Sequence, residues 1–423
     1  MKKLSKSFWI MLVITLCTSH VSCNIDNAIN DGTYPPSSAK TTVNLAAISK
    51  ADVTADGELV VADGSILTGT LDGKKQKVKI AIAKGATVTL SNATINGVHT
   101  DDEHELWAGI SCLGDATIIL EGSNTVVGFN RFYPGIQPGP KGTTLTIQGN
   151  GSLTAKGLYF GAGIGTNDEG SCGNINITGG IITAEGSAGI GAASCGTCGD
   201  ITISGSAQVT ATGREDGAGI GAGDGEIFPS QCGDITISGS AQVTATSNGG
   251  GAGIGTGRAS TCGNISISGS AQVTAKGGDD SAGIGCGFSI ITPAKCGNIT
   301  ITGGTVFAQG KGYATGIGCG HEQSQCGDIT FDRGEGFVSV TAIRGGNGKD
   351  STWSIGTPSG NYDGTHLCGK IIIFIAELFN GVYALDDNPE GDFGKLYLTI
   401  STTDDGDDNT EDTNNTWTLT PTY

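Results

Sequence analysis

The sequence predicts an all-β chain wound as a right-handed, single-stranded parallel β-helix of about ten coils, with three short strands per coil and a C-terminal β cap. Three observations predict it. Gly supplies 73 of 423 residues without a G-X-Y period, which excludes collagen and argues against a helical protein. A block C-G-(N/D)-I-x-I-(S/T)-G, then V-T-A, then A-G-I-G, begins at Cys172, Cys198, Cys232, Cys262, Cys296, Cys326 and, in degenerate form, Cys368. The glycine before the Ile of the last block falls at Gly163, Gly189, Gly219, Gly253, Gly283 and Gly316, a near-constant period. Inside each block the apolar residues alternate with period two: Ile201, Ile203, Val209, Ala211, Ala218 and Ile220 point one way, and Thr202, Ser204 and Thr210 the other.

The elements follow in chain order. Lys2, Lys3 and Lys6 precede an apolar run from Phe8 to Leu16 and a small-residue stretch ending Val21-Ser22-Cys23, the layout of a secretory signal over residues 1–22. The run is too short to span a bilayer. Residues 23–53 are polar and pattern-poor and read as a tether. Residues 54–370 carry the coils, with weaker copies of the repeat at Trp107-Ala-Gly-Ile110 and Tyr133-Pro-Gly-Ile136. One unit cannot bury its apolar side alone, so stacking at ~4.8 Å places each Ile on its counterpart in the next coil. Residues 371–423 form the expected cap and acidic tail: Ile371 to Phe379 breaks the repeat, strands near Leu396–Ile400 and Trp417–Leu419 pair with it, and Asp404–Asp412 is an acidic loop.

The cysteine column reads first as a ladder of buried thiols, and stacked coils would also hold neighbouring Cα atoms within disulfide range. Cys112, Cys286 and Cys319 share a second column. Asn174, Asp200, Asp234, Asn264, Asn298 and Asp328 share a third, where a structural turn and hydrogen bonds along the ladder outweigh calcium binding. Cofactors and metals are therefore expected to be none, with calcium kept as the alternative. Lys and Arg number 23 against 41 Asp and Glu, and a net charge of -18 excludes nucleic acid as the partner. The five His are scattered and the outward strand positions are Thr, Ser, Asn, Gln and Gly, so no catalytic residues are assigned. The regular hydroxyl columns are ordinary polar strand faces.

The candidate site is aromatic. Trp107 and Tyr133 share one repeat position, and Phe132 and Phe160 the position before it, on successive early coils. Arg131 and Tyr159 lie beside them, with Asp101, Asp102, Glu103 and His104 nearby, and Gly109, Gly135 and Gly163 are expected to leave a flat floor. Rings beside small residues and hydrogen-bonding groups suit the apolar face of a sugar. The competing expectation is that the rings pack as a cover over the early coils.

Val21-Ser22-Cys23 resembles a bacterial lipobox, which implies acylation of Cys23; Asn24 after it favours the outer membrane. The stretches Ala86–Asn96, Gly109–Gly114, Ile118–Gly122 and Asn124–Val126 resemble bacterial right-handed β-helix carbohydrate-binding domains. The C-G-(N/D)-I-T-I and A-G-I-G repeats are similar to those of secreted, adhesin-like bacterial surface proteins. The resemblance implies a non-catalytic, monomeric, cell-surface lipoprotein, bound to the membrane only through its lipid. Its partner would be a polysaccharide or surface glycan contacted through Trp107, Arg131, Phe132, Tyr133, Tyr159 and Phe160. A structural or protein-adhesion rod contacting host or bacterial surface proteins is the first alternative, and a polysaccharide lyase or hydrolase the second.

Overall fold

The structure, a computed structural model, describes residues 41–98, 106–332, 338–345, 355–357, 366–374, 400–401 and 416–419. The chain is a parallel β-solenoid. Eight turns carry three separate strands each, from Ala116–Glu121, Ser123–Val127 and Ile136–Gln137 to Ile329–Asp332, Val338–Ile343 and Ile355–Gly356. That is fewer than ten because the earliest turns run as longer strands, Ile66–Asp72 and Ala86–Asn96, which each cover two strand positions. From Thr197–Cys198 onward a fourth short strand joins each turn, and these form a six-stranded sheet of their own.

Register follows the repeat residue by residue. Ile201 pairs with Ile235, Ile235 with Ile265 and Ile265 with Ile299, while Val209, Val243 and Val273 stack in the next column. The inward residues Ile201, Ile203, Val209, Ala211, Ala218 and Ile220 are all buried, and Thr210 is exposed, as the alternation requires. Each such Ile contributes about 1.5–3 kcal/mol by leaving water, so the core is one continuous aliphatic column.

Two boundaries move. The tether expected over 23–53 ends earlier: Thr42–Asn44 pairs in parallel with Ile66–Thr68, and Leu45 is fully buried. Asn44 also accepts a hydrogen bond from the Ala46 N–H, closing a single 3-10 turn that carries Leu45 inward. At the other end, Ile371–Phe374 does not break the repeat. It pairs in parallel with Ile329–Asp332 because Ile371 and Ile373 preserve the period-two register of Ile329 and Phe331. Thr416–Leu419 pairs antiparallel with Val338–Ile343 and with Ile400–Ser401, not with the 371–374 strand. Cys23, Asp101–Glu103, His104, residues 375–379 and the 404–412 loop lie outside the described residues.

The Asn/Asp column does what a hydrogen-bonded ladder predicts. Each Oδ1 accepts the backbone N–H one turn on: Asn174 from Asp200 at 2.9 Å, Asp200 from Asp234 at 2.9 Å, and Asp234 from Asn264 at 2.7 Å. The ladder continues through Asn264, Asn298 and Asp328, and it has earlier rungs at Asp63 and Asp115 that the repeat pattern did not reveal.

Candidate functional site

One edge of the solenoid is built from two columns of turns. The first follows the second strand of each turn and includes Arg131–Tyr133, Tyr159–Phe160, Asp216 and Tyr313. The second lies five residues after the A-G-I-G glycine and holds Asp168, Ser194, Asp224, Arg258, Phe288 and His321. Backbone bonds tie the columns together: the N–H of Asp168 donates to Phe132 O at 2.8 Å, Arg258 to Asp216 O at 2.8 Å, and His321 to Asp280 O at 2.8 Å. From the Phe132 turn to the Tyr313 turn is six steps, roughly 29 Å at 4.8 Å per step.

At the early end the Arg131 guanidinium lies over the Phe132 ring at 4.6 Å, and Phe132 stacks on Phe160 with centroids 5.6 Å apart and planes 14° off parallel. These three side chains are half-buried. Tyr159 beside them is 55% exposed, on a backbone with φ of 32° that carries it out of the strand path. Trp107 is not in this stack. Its ring tilts against the fully buried Phe129 at 5.3 Å with the Lys79 ammonium 5.4 Å from its centroid, and its buried Nε1 has no hydrogen-bond partner among the described residues. Tyr133 is half-buried and its N–H donates to Asn130 O, closing the turn that presents Arg131 and Phe132. The sequence groups six residues; the fold brings Arg131, Phe132 and Phe160 together, sets Tyr159 beside them, and places Trp107 against the core.

The expected glycine floor does not exist. Gly109, Gly135 and Gly163 are buried, and a Cβ at Gly135 would come within 2.7 Å of Lys156 N and 2.8 Å of Gly163 O. These glycines permit close approach of backbone from the neighbouring strand and turn; they do not offer a surface.

The middle of the edge is acidic. Burial, reinforced by the adjacent Glu169 charge, pushes Asp168 up to about 7. Burial and the Asp216 charge push Asp224 up to about 6, with an opposing hydrogen bond from the Glu226 backbone. Cys195 is held up at about 11, chiefly by burial, so it is no nucleophile at neutral pH. Arg258 bridges Asp216 at 3.3 Å and Glu226 at 3.0 Å. Farther along, His321 stacks on Tyr313 at 4.8 Å and on Phe288 at 6.4 Å. Beyond this edge, the connection around 225–230 exposes Ile227 and Phe228, and the strand Ser289–Cys296 exposes Ile290 and Ile291.

Asp168, Asp224, Phe288 and His321 were not singled out from sequence. The signal was present: all stand at the same offset from the A-G-I-G glycine, a column hidden because its residue types differ from turn to turn. Among the described residues no three His, Cys, Asp or Glu side chains form a metal-holding group.

A family model described as a beta helix repeat matches residues 145–168, 175–194, 201–224, 235–258, 265–288 and 299–321. Neither the curated proteins nor the solved structures contain a match to this chain.

Proposed function

We propose that this parallel β-helix repeat protein is a non-catalytic surface lipoprotein, acylated at Cys23, that binds an extended neutral polysaccharide along the turn edge. The observation that carries the reading is the Arg131–Phe132–Phe160 stack with Tyr159 exposed beside it. Stacked rings offer apolar area to a sugar face, and the carboxylates and Arg258 farther along supply hydrogen-bond partners for its hydroxyls. The Phe288–His321–Tyr313 group, several turns on, gives a long chain a second place to stack. Phe132 is already engaged by Arg131 and Phe160, so the exposed Tyr159 and the half-buried Phe160 make the contact. Tyr133 closes the turn that carries Arg131 and Phe132, and Trp107 packs on Phe129 outside the contact. A net charge of -18 disfavours polyanionic glycans.

Binding of the full chain to neutral and uronate-rich polysaccharides tests the reading, with a Phe160→Ala variant alongside. The expected result is binding to a neutral glycan, weakened about tenfold by the variant, as suits the loss of roughly 1.5 kcal/mol of ring contact. Unchanged affinity in Phe160→Ala would remove this edge as the site.

A second reading, polysaccharide cleavage, is favoured by Asp168 and Asp224, two half-buried carboxyls of raised pKa on one column. New reducing ends or unsaturated products in the same mixtures would support it over simple binding.

A further inference from the structure

We propose that the stacked thiols of Cys172, Cys198, Cys232, Cys262, Cys296, Cys326 and Cys368 are an oxidative modification site. A small disulfide oxidant staples neighbouring turns there through nearest-neighbour disulfides, three at most, leaving one thiol over. The inference is independent of the glycan reading.

The geometry is that of a single file. Cys198, Cys232, Cys262, Cys296, Cys326 and Cys368 are direct register partners in the six-stranded parallel sheet. Cys172 sits one turn before Cys198, where Ser171 bridges to Thr197. Adjacent parallel strands run about 4.8 Å apart, inside the 4.4–6.8 Å window that a disulfide allows between Cα atoms. The sulfurs already touch: Cys172 Sγ lies 3.3 Å from Cys198 Sγ, and Cys262 Sγ 3.5 Å from Cys296 Sγ. Closing such a pair to the bonded distance of about 2.05 Å takes a shift of roughly 1.3–1.5 Å, within reach of a χ1 adjustment. All seven are free thiols.

Contacts with neighbouring thiols and burial push Cys198, Cys296 and Cys368 all up, so exposure and not thiolate fraction decides where a reagent first reacts. Cys368 at the far end of the file is only half-buried and is where a reagent enters. The Cys368 thiolate attacks the small disulfide and releases one small thiol. Cys326 then attacks the Cys368 sulfur and releases the second. Two protein thiols lose two protons and two electrons, and the oxidant is reduced to two thiols. The Cys296 thiolate can next displace Cys368 from Cys326, moving the bond inward by one turn and freeing Cys368 for another round.

A single file makes a parity prediction that a loose group of thiols does not. Seven in line pair to three bonds and one leftover. Cys232→Ala divides the file into a pair and a run of four; the run next to Cys368 pairs completely to two bonds, while the buried Cys172 and Cys198, cut off from the point of entry, stay reduced and are the two leftovers. Cys198→Ala isolates Cys172 and leaves a run of five, giving two leftovers and two bonds.

The test is to expose the folded full chain to oxidised glutathione, denature and alkylate it, and map linked and alkylated peptides in the wild type and both variants. Links between register neighbours only are expected, with one leftover in the wild type, Cys172 and Cys198 as the two leftovers in Cys232→Ala, and Cys172 plus one member of the run of five in Cys198→Ala. Links that skip a member, leftovers other than these, or no linked peptide after prolonged exposure would overturn the proposal. Far-UV circular dichroism identifies a variant that has not folded, and the other then carries the comparison.

Discussion

Replacing Gly255 by Ala tests how tightly the turns are stacked. Gly255 sits in the A-G-I-G strand at φ of 134°, where a Cβ would lie 2.0 Å from Gly285 O in the next turn. Ordinary carbon–oxygen approach is about 3.3 Å, so the two strands must part locally by roughly 1.3 Å. The oxygen in the way accepts the Thr256 N–H at 3.0 Å, so that hydrogen bond breaks in a buried setting, at about 1–3 kcal/mol. The backbone conformation, unfavourable to any residue with a Cβ, adds about 1–3 kcal/mol. A total near 4 kcal/mol is expected. Gly142→Ala is the control: its φ is 87°, but nothing lies within 4 Å of a Cβ there, so only backbone strain of about 1–2 kcal/mol remains. Urea denaturation followed by circular dichroism gives both values. Because a solenoid can unzip locally, amide exchange at Thr256 and at Ala222, which donates to Gly255 O, is read alongside. Equal destabilisation by the two substitutions would refute the argument that contact between turns, and not backbone angle, requires glycine in this column.

Asp234→Ala removes the acceptor for the Asn264 N–H and is expected to destabilise by about 1 kcal/mol in urea, whereas Asp234→Asn keeps the acceptor and is expected to be nearly neutral. Asp168 has its folded pKa raised from 3.8 to about 7, so its burial destabilises the charged form. That penalty is absent well below the unfolded pKa and grows as pH rises through the folded one. Asp168→Asn should therefore raise the urea midpoint at about pH 8 and leave it nearly unchanged at about pH 4, and a midpoint gain confined to low pH would contradict the assignment. A staple between Cys172 and Cys198 closes a loop of 26 residues and is expected to stabilise by about 3.5 kcal/mol on chain-entropy grounds, measured as the difference between oxidised and reduced protein in urea.

Much of the fold was legible because a solenoid converts sequence period into spatial contact. Ile201, Ile235 and Ile265 recur at one repeat position, so translation by one turn lays each on the next, and the same holds for the thiols and for the Asn/Asp ladder. The alternation of Ile201 and Ile203 with Thr202 is local geometry and needed no tertiary information. The break expected at Ile371 did not appear for the same reason that the repeat succeeded. Ile371 and Ile373 keep period-two register, and register outweighs the loss of the flanking motif.

The amino-acid sequence by itself determined which residues stack along the axis: the aliphatic core, the cysteine file and the Asx ladder. Tertiary structure decided what meets sideways. Phe132 joins Phe160 and Arg131 while Trp107 turns to Phe129, because the turns between strands differ in length and conformation and no period relates them. The same is true of the glycine that precedes each Asx residue. A Cβ at Gly233 would lie 2.2 Å from Asp200 Oδ1, a conflict that exists only once one turn is laid upon another.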